Sequence, residues 1–186
     1  MARKAWLEAQ PGMQVEKLVF IDETWASTSM TRGYGRAPKG QRCIGPVPHG
    51  HWKTTTFAGG LRHDRLTAPM VAAEPMDGEM FLAWAQRFLC PTLQPTDIVI
   101  LDNLSSHNVA GVRQAIEAVG ATLLYRPPYS PDLNPIEKLF SKLKALLRRA
   151  AKRSVEELWT EIGALLNTIA PTECKNYFAS SGYVCK

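Results

Sequence analysis

Two short apolar runs constrain the fold more than any other feature of this chain. They are KLVFIDET (17–24) and TDIVILDN (96–103). Both are too short for a globular helix and rich in β-branched residues, which predicts buried strands. Both end in an acid, Asp22 in the first and Asp102 in the second. Alternation along a strand sets Phe20 and Asp22 on one face, and Val19 and Ile21 on the other. Neighbouring strands lie ~4.8 Å apart. If the two strands pair with their ends level, Asp22 and Asp102 face each other across a gap that one metal ion can fill. Such a pair is unfavourable unless a proton or a cation intervenes.

The rest of the chain supplies the layers around these strands. KTTTFAGGL and RLTAPMVAAE flank the turn RHD and read as a hairpin. DGEMFLAWAQRFL (77–89) reads as a helix capped by Asp77, and NVAGVRQAIEAVG (108–120) as a helix stopped by Gly120. ATLLYR (121–126) is a further strand, and a last helix starts at Ser154, where Glu157 completes a capping box. This order predicts an α/β fold, a mixed sheet flanked by helices. One domain is expected over 1–186, with its core at about 15–170. The 186 residues are 45% hydrophobic, an ordinary globular composition. The longest apolar runs, LVFI and IVIL, are far too short to span a bilayer, and the N-terminus has no apolar signal core. Cys43, Cys90, Cys174 and Cys185 lack the spacing of a zinc or redox motif, which fits reduced thiols in a cytoplasm. Cys43, His49 and His51 have no evident fourth ligand, so zinc is not expected.

Between the last strand and the basic helix lies YRPPYSPDLNPIE, with prolines at 127, 128, 131 and 135. Four fixed φ angles make a stiff ramp that holds the next helix start in place. In NPIE, Asn134 suits the N-cap, Pro135 the first helical position, and Glu137 falls three residues after the cap. Glu137 therefore has two readings. It closes a capping box on Asn134, or it is a third carboxylate joining Asp22 and Asp102 around Mg²⁺, a hard cation that takes oxygen ligands.

Taken together, VFIDETW, VILDNLSSH and YSPDLNPIEKLFSKLK resemble the catalytic motifs of mariner-like transposases and their bacterial insertion-sequence relatives. Thirty-four residues separate Asp102 from Glu137, a spacing similar to that superfamily's, and the resemblance runs from about residue 15 to 165. It implies a ribonuclease-H-like fold and a DDE catalytic domain that cleaves DNA strands and transfers them. It implies two Mg²⁺ ions, with Mn²⁺ able to substitute, clamping an in-line displacement. Asp22 would bridge both ions, and Asp102 and Glu137 would each hold one. The implied partners are double-stranded DNA, at transposon ends and at a TA target, and a second copy of the chain in the active complex. The implied setting is a bacterial cytoplasm, at the nucleoid. Relatives carry helix-turn-helix domains ahead of the first aspartate, and the 21 residues before Asp22 are too few for one. End recognition is therefore expected from a separate or missing N-terminal segment.

Net charge is +5 and the pI about 9.1, which suits an acidic partner. Arg32, Arg36, Lys39 and Arg42 sit in a glycine-rich loop (27–42), and Lys144 and Arg148 follow Glu137 along one helix face. These six are the candidate phosphate contacts. Arg149, Lys152 and Arg153 read as a solvated face, and Trp25 as packing beneath the loop. Asn103 and His107 follow Asp102 as auxiliary candidates. Two alternatives stay open: a host nuclease or resolvase on the same fold, and a catalytically silent, shortened transposase that modulates a partner or DNA.

Overall fold

The computed structural model describes residues 3–102 and 111–184. Five strands form one sheet: β1 Leu18–Ser27, β2 Thr54–Leu61, β3 Leu66–Ala72, β4 Ile98–Leu101 and β5 Thr122–Tyr125. Their order is β3-β2-β1-β4-β5, antiparallel on the hairpin side and parallel from β1 through β4 to β5. The helices are α1 Arg3–Ala9, α2 Gly78–Trp84, α3 Val112–Ala118, α4 Pro135–Ala150, α5 Val155–Leu166 and α6 Pro171–Ser180. The predicted mixed α/β sheet flanked by helices is the observed architecture.

Strand alternation divides the core into two layers. Leu18, Phe20 and Ile100 face α4, α5 and α6, where Ile136, Phe140, Leu158 and Phe178 are buried. Val19, Ile21, Val99 and Leu101 face the other layer, with Phe81, Trp84 and Ile116. The hairpin hugs β1 because β2 carries glycine where the approach is closest. A Cβ on Gly60 would stand 2.8 Å from Ile21 Cδ1. At the far end of the sheet, Arg62 and Asp97 form a buried ion pair, and Asp97 also accepts from the Gln94 N–H at 2.7 Å. This ties the end of β2 to the start of β4. Gly120, at φ +81°, turns the chain after α3 as expected.

Several elements differ from the sequence reading. The helix at 77–89 is capped by Asp77 but changes after Trp84 into a wider π turn over Ala85–Leu89. The chain before β1 holds α1, and α6 follows α5. Both bring core residues from outside 15–170: Trp6, Cys174, Phe178 and Tyr183 are all buried. The first residues of the helix predicted at 108–120, together with Asn103 and His107, lie outside the described residues.

Candidate active site

The register of the two central strands places the first two acids. Leu18 pairs with Ile98 and Phe20 with Ile100 in parallel. The pairing ends there, and continuing the same register by two residues would bring Asp22 level with Asp102, which follows β4. Asp22 shares the face of Phe20, toward α4, where Asn134 donates to it, and Asp102 is close enough to act on Asp22 electrostatically. Glu137 is in the first turn of α4 and is exposed. Asp22 is only 6% exposed.

Electrostatics link the three carboxylates. Asp22 is pushed up to about 7, first by burial, then by the negative charges of Glu137 and Asp102. The Glu23 N–H and the nearby Arg126 guanidinium pull the other way without prevailing. The three are electrostatic neighbours, yet among the described residues no three His, Cys, Asp or Glu side chains stand close enough to grip one ion. Mutual repulsion between bare carboxylates opposes closer approach. The donor set fits hard divalent cations, since it offers carboxylate oxygens only.

The ramp before α4 is held from several directions. Leu133 N–H donates to Ser130 O at 3.2 Å and Asn134 N–H to Pro131 O at 3.0 Å, closing a single 3₁₀ turn over Pro131–Leu133. Arg126, buried at the end of β5, donates to Ser130 O at 2.8 Å. Arg3 of α1 grips Asp132 through two bonds of 2.9 and 2.7 Å. Tyr129 takes a positive φ of 51° and projects fully into solvent. Left-handed backbone costs a non-glycine residue of order 1 kcal/mol, and such outliers cluster at functional sites.

The capping-box reading of Glu137 is corrected by these bonds. Asn134 makes no side-chain cap. Its backbone N–H, which Glu137 would have to take, goes to Pro131 O instead. Its side-chain amide donates to Asp22 Oδ2 at 2.7 Å. The helix forgoes a cap worth ~1 kcal/mol. Local sequence had no means of showing this, because the partner lies on β1.

The basic candidates separate into distinct places. Lys144 is half-buried, with its ammonium 4.7 Å from the centre of the Trp25 ring. Burial lowers its pKa, against the favourable pull of Glu137. Trp25 is 56% exposed, so it does not pack beneath the loop as expected. Arg148 and Arg149 line a cleft of about 430 Å³ together with Arg32, Tyr34 and Val47 of the loop. Arg36, Lys39 and Arg42 are exposed and line no part of it. Arg153 is exposed but is more than a solvated charge. It donates to Thr28 O and Met30 O, both at 2.9 Å, and so anchors the root of the loop.

Asp22 does not end its strand as expected, because β1 runs on through Ser27 in antiparallel pairing with β2, whereas Asp102 directly follows β4. A sheet of this order, with one acid inside β1, one just after β4 and one at the head of α4, defines a ribonuclease-H-like scaffold. The chain belongs to the DDE superfamily endonuclease family, whose model matches residues 17–159. No curated protein sequence matches it. Among solved structures, it is similar to the pre-cleavage Mos1 transpososome at 17% identity and a TM-score of 0.75, covering 96% of this chain and 56% of that one. It is similar to the Mos1 strand transfer complex at 19% identity and 0.72, covering 90% and 52%. With the catalytic domain of Mos1 mariner transposase the values are 18% and 0.59, covering 92% and 85%. The chain thus spans little more than half of the first two proteins.

Proposed function

We propose that this chain is the catalytic domain of a DDE transposase, which cleaves DNA strands and transfers them to a target. The observation that carries the reading is the electrostatic grouping of Asp22, Asp102 and Glu137. Asp22, Asp102 and Glu137 would hold two divalent ions, Mg²⁺ or Mn²⁺, which supply Lewis acidity for phosphoryl transfer. Support for the metals comes from the Mos1 mariner paired-end complexes, which are described with Mg and with Mn.

The chain's own residues divide the remaining work. Burial of Asp22 excludes water from one side of the reacting centre. The ramp would hold Glu137 near Asp22 of β1 and Asp102 after β4. Lys144, Arg148 and Arg32 lead away from Glu137 and provide positive charge for a DNA backbone. The exposed Trp25 beside Lys144 offers a π face for a base. Double-stranded DNA, at transposon ends and at a TA target, is the proposed substrate, and a homodimer the proposed active form. Paired-end and strand transfer complexes of Mos1 support that assembly. The bacterial insertion-sequence setting belongs to the same proposal, as does one domain across the chain. Among the described residues, no helix is long and apolar enough to cross a membrane.

The test is a nicking and strand-transfer assay on duplexes with pre-cut ends, in Mg²⁺ or Mn²⁺, with Asp102→Asn as the control. Metal-dependent products from the parent, absent from the variant, are expected. Products that persist in Asp102→Asn, or in chelator, would overturn the assignment.

A further inference from the structure

The helix start that carries Glu137 reaches Asp22 through a second side chain. Asn134 is 2% exposed, and its amide donates to Asp22 Oδ2 at 2.7 Å. The Glu23 N–H donates to the other oxygen, Oδ1, at 2.8 Å. An ionised carboxylate has about four acceptor sites, two on each oxygen. One donor per oxygen fixes the plane of the group and leaves one site on each. Each oxygen then keeps a lone pair with which to face one cation. The backbone donor alone would leave Oδ2 free to turn about the Cβ–Cγ bond.

We infer that Asn134 is a positioning residue for the metal centre, orienting Asp22 for two cations rather than capping α4. The inference rests on the proposed function, because it takes Asp22 to be a metal ligand. The chemistry of the amide suits the task. It donates a hydrogen bond without carrying charge, so it orders the carboxylate without neutralising it. A lysine in the same place would compete with the metal. Asn134 and Glu137 also belong to one rigid element, braced by Pro135 and by the 3₁₀ turn at Pro131–Leu133. The same helix start therefore sets one acid directly and another through a hydrogen bond. Both bonds that would keep Asn134 as an ordinary cap are given up: its side chain accepts nothing from the first turn, and its N–H serves Pro131.

The experiment titrates Mn²⁺ into the whole chain by calorimetry, for the parent, Asn134→Ala, Asn134→Ser and Asp22→Asn. Metal-free thermal melts run in parallel, and serine can still cap the helix if alanine impairs folding. Outer-shell partners of metal ligands typically carry ~10–100-fold in affinity. Both Asn134 variants are expected to bind Mn²⁺ more weakly by such a factor while staying folded at the temperature of the titration, though each melts below the parent for want of a buried hydrogen bond. The Mg²⁺ concentration for half-maximal cleavage should rise in step. Unchanged Mn²⁺ affinity in the Asn134 variants, with binding lost in Asp22→Asn, overturns the inference and leaves the metal reading in place. Unchanged affinity in Asp22→Asn overturns both.

Discussion

The Tyr183 hydroxyl donates to the Leu133 carbonyl at 3.0 Å and accepts from Trp6 Nε1 at 2.9 Å. The two ends of the described chain thus meet beneath the ramp, one residue before Asn134. Phe20 of β1 lies 4.9 Å away, ring to ring with Tyr183, so the same tyrosine also packs against the strand that carries Asp22.

Tyr183→Phe keeps that packing and removes one hydroxyl. The Trp6 N–H and the Leu133 carbonyl would then be buried without this partner, at about 2 kcal/mol. For a chain of this size the melting temperature should drop by roughly 4–8 °C. Thermal denaturation checks it, and a variant melting with the parent would show that the hydroxyl does not support the ramp.

Glu137→Gln separates chemistry from folding. Glu137 takes no part in the cap of α4, so glutamine should leave the melting temperature unchanged or slightly raised, since one negative charge near Asp22 is gone. DNA cleavage should fall to background. Melts and a cleavage assay on the same preparation check both, and full activity in the variant would return Glu137 to a purely structural role.

Without metal, stability should depend on pH through Asp22. Its folded-state pKa, about 7, lies above its ordinary value of 3.8. The folded state therefore holds this proton more tightly than the unfolded chain. The stability it provides is complete below about 3.8 and is lost as the pH rises through 7. The full effect is at most about 4 kcal/mol, since each pKa unit is worth ~1.4 kcal/mol. Melts between pH 5 and 8 in chelator should slope downward for the parent and less for Asp22→Asn. Added Mg²⁺ should flatten the parent's slope. Equal slopes for parent and variant would contradict the assignment.

Reversing Lys144 and Arg148 to glutamate should weaken binding to all duplexes alike. If each neutralises one phosphate, the slope of log K against log salt should fall by about two. Binding isotherms over a salt series check this. Unchanged slopes would remove this face of α4 from the DNA path.

What could be foreseen from the sequence was what repeats locally. The apolar runs ending in Asp22 and Asp102 announced two buried strands, while the parallel register that brings the two acids together came only from the structure. Asn134 followed by Pro135 announced the start of α4, and Ser154 with Glu157 announced the start of α5. What escaped was long-range. Trp6 and Tyr183 lie in short terminal segments without strong periodicity, so nothing local predicts that they meet at Leu133. Asn134 was legible as a cap because caps are local, whereas its bond to Asp22 spans two elements. Arg153 was hidden for the same reason, since its partners, Thr28 and Met30, stand at the root of a distant loop.

The central claim is that Asp22, Asp102 and Glu137 together hold divalent ions. The most direct measurement is anomalous diffraction from crystals of the chain soaked in Mn²⁺. Two strong peaks among these three carboxylates, with Asp22 touching both, are the predicted result. Mn²⁺ bound elsewhere while the three acids remain without it would contradict the account.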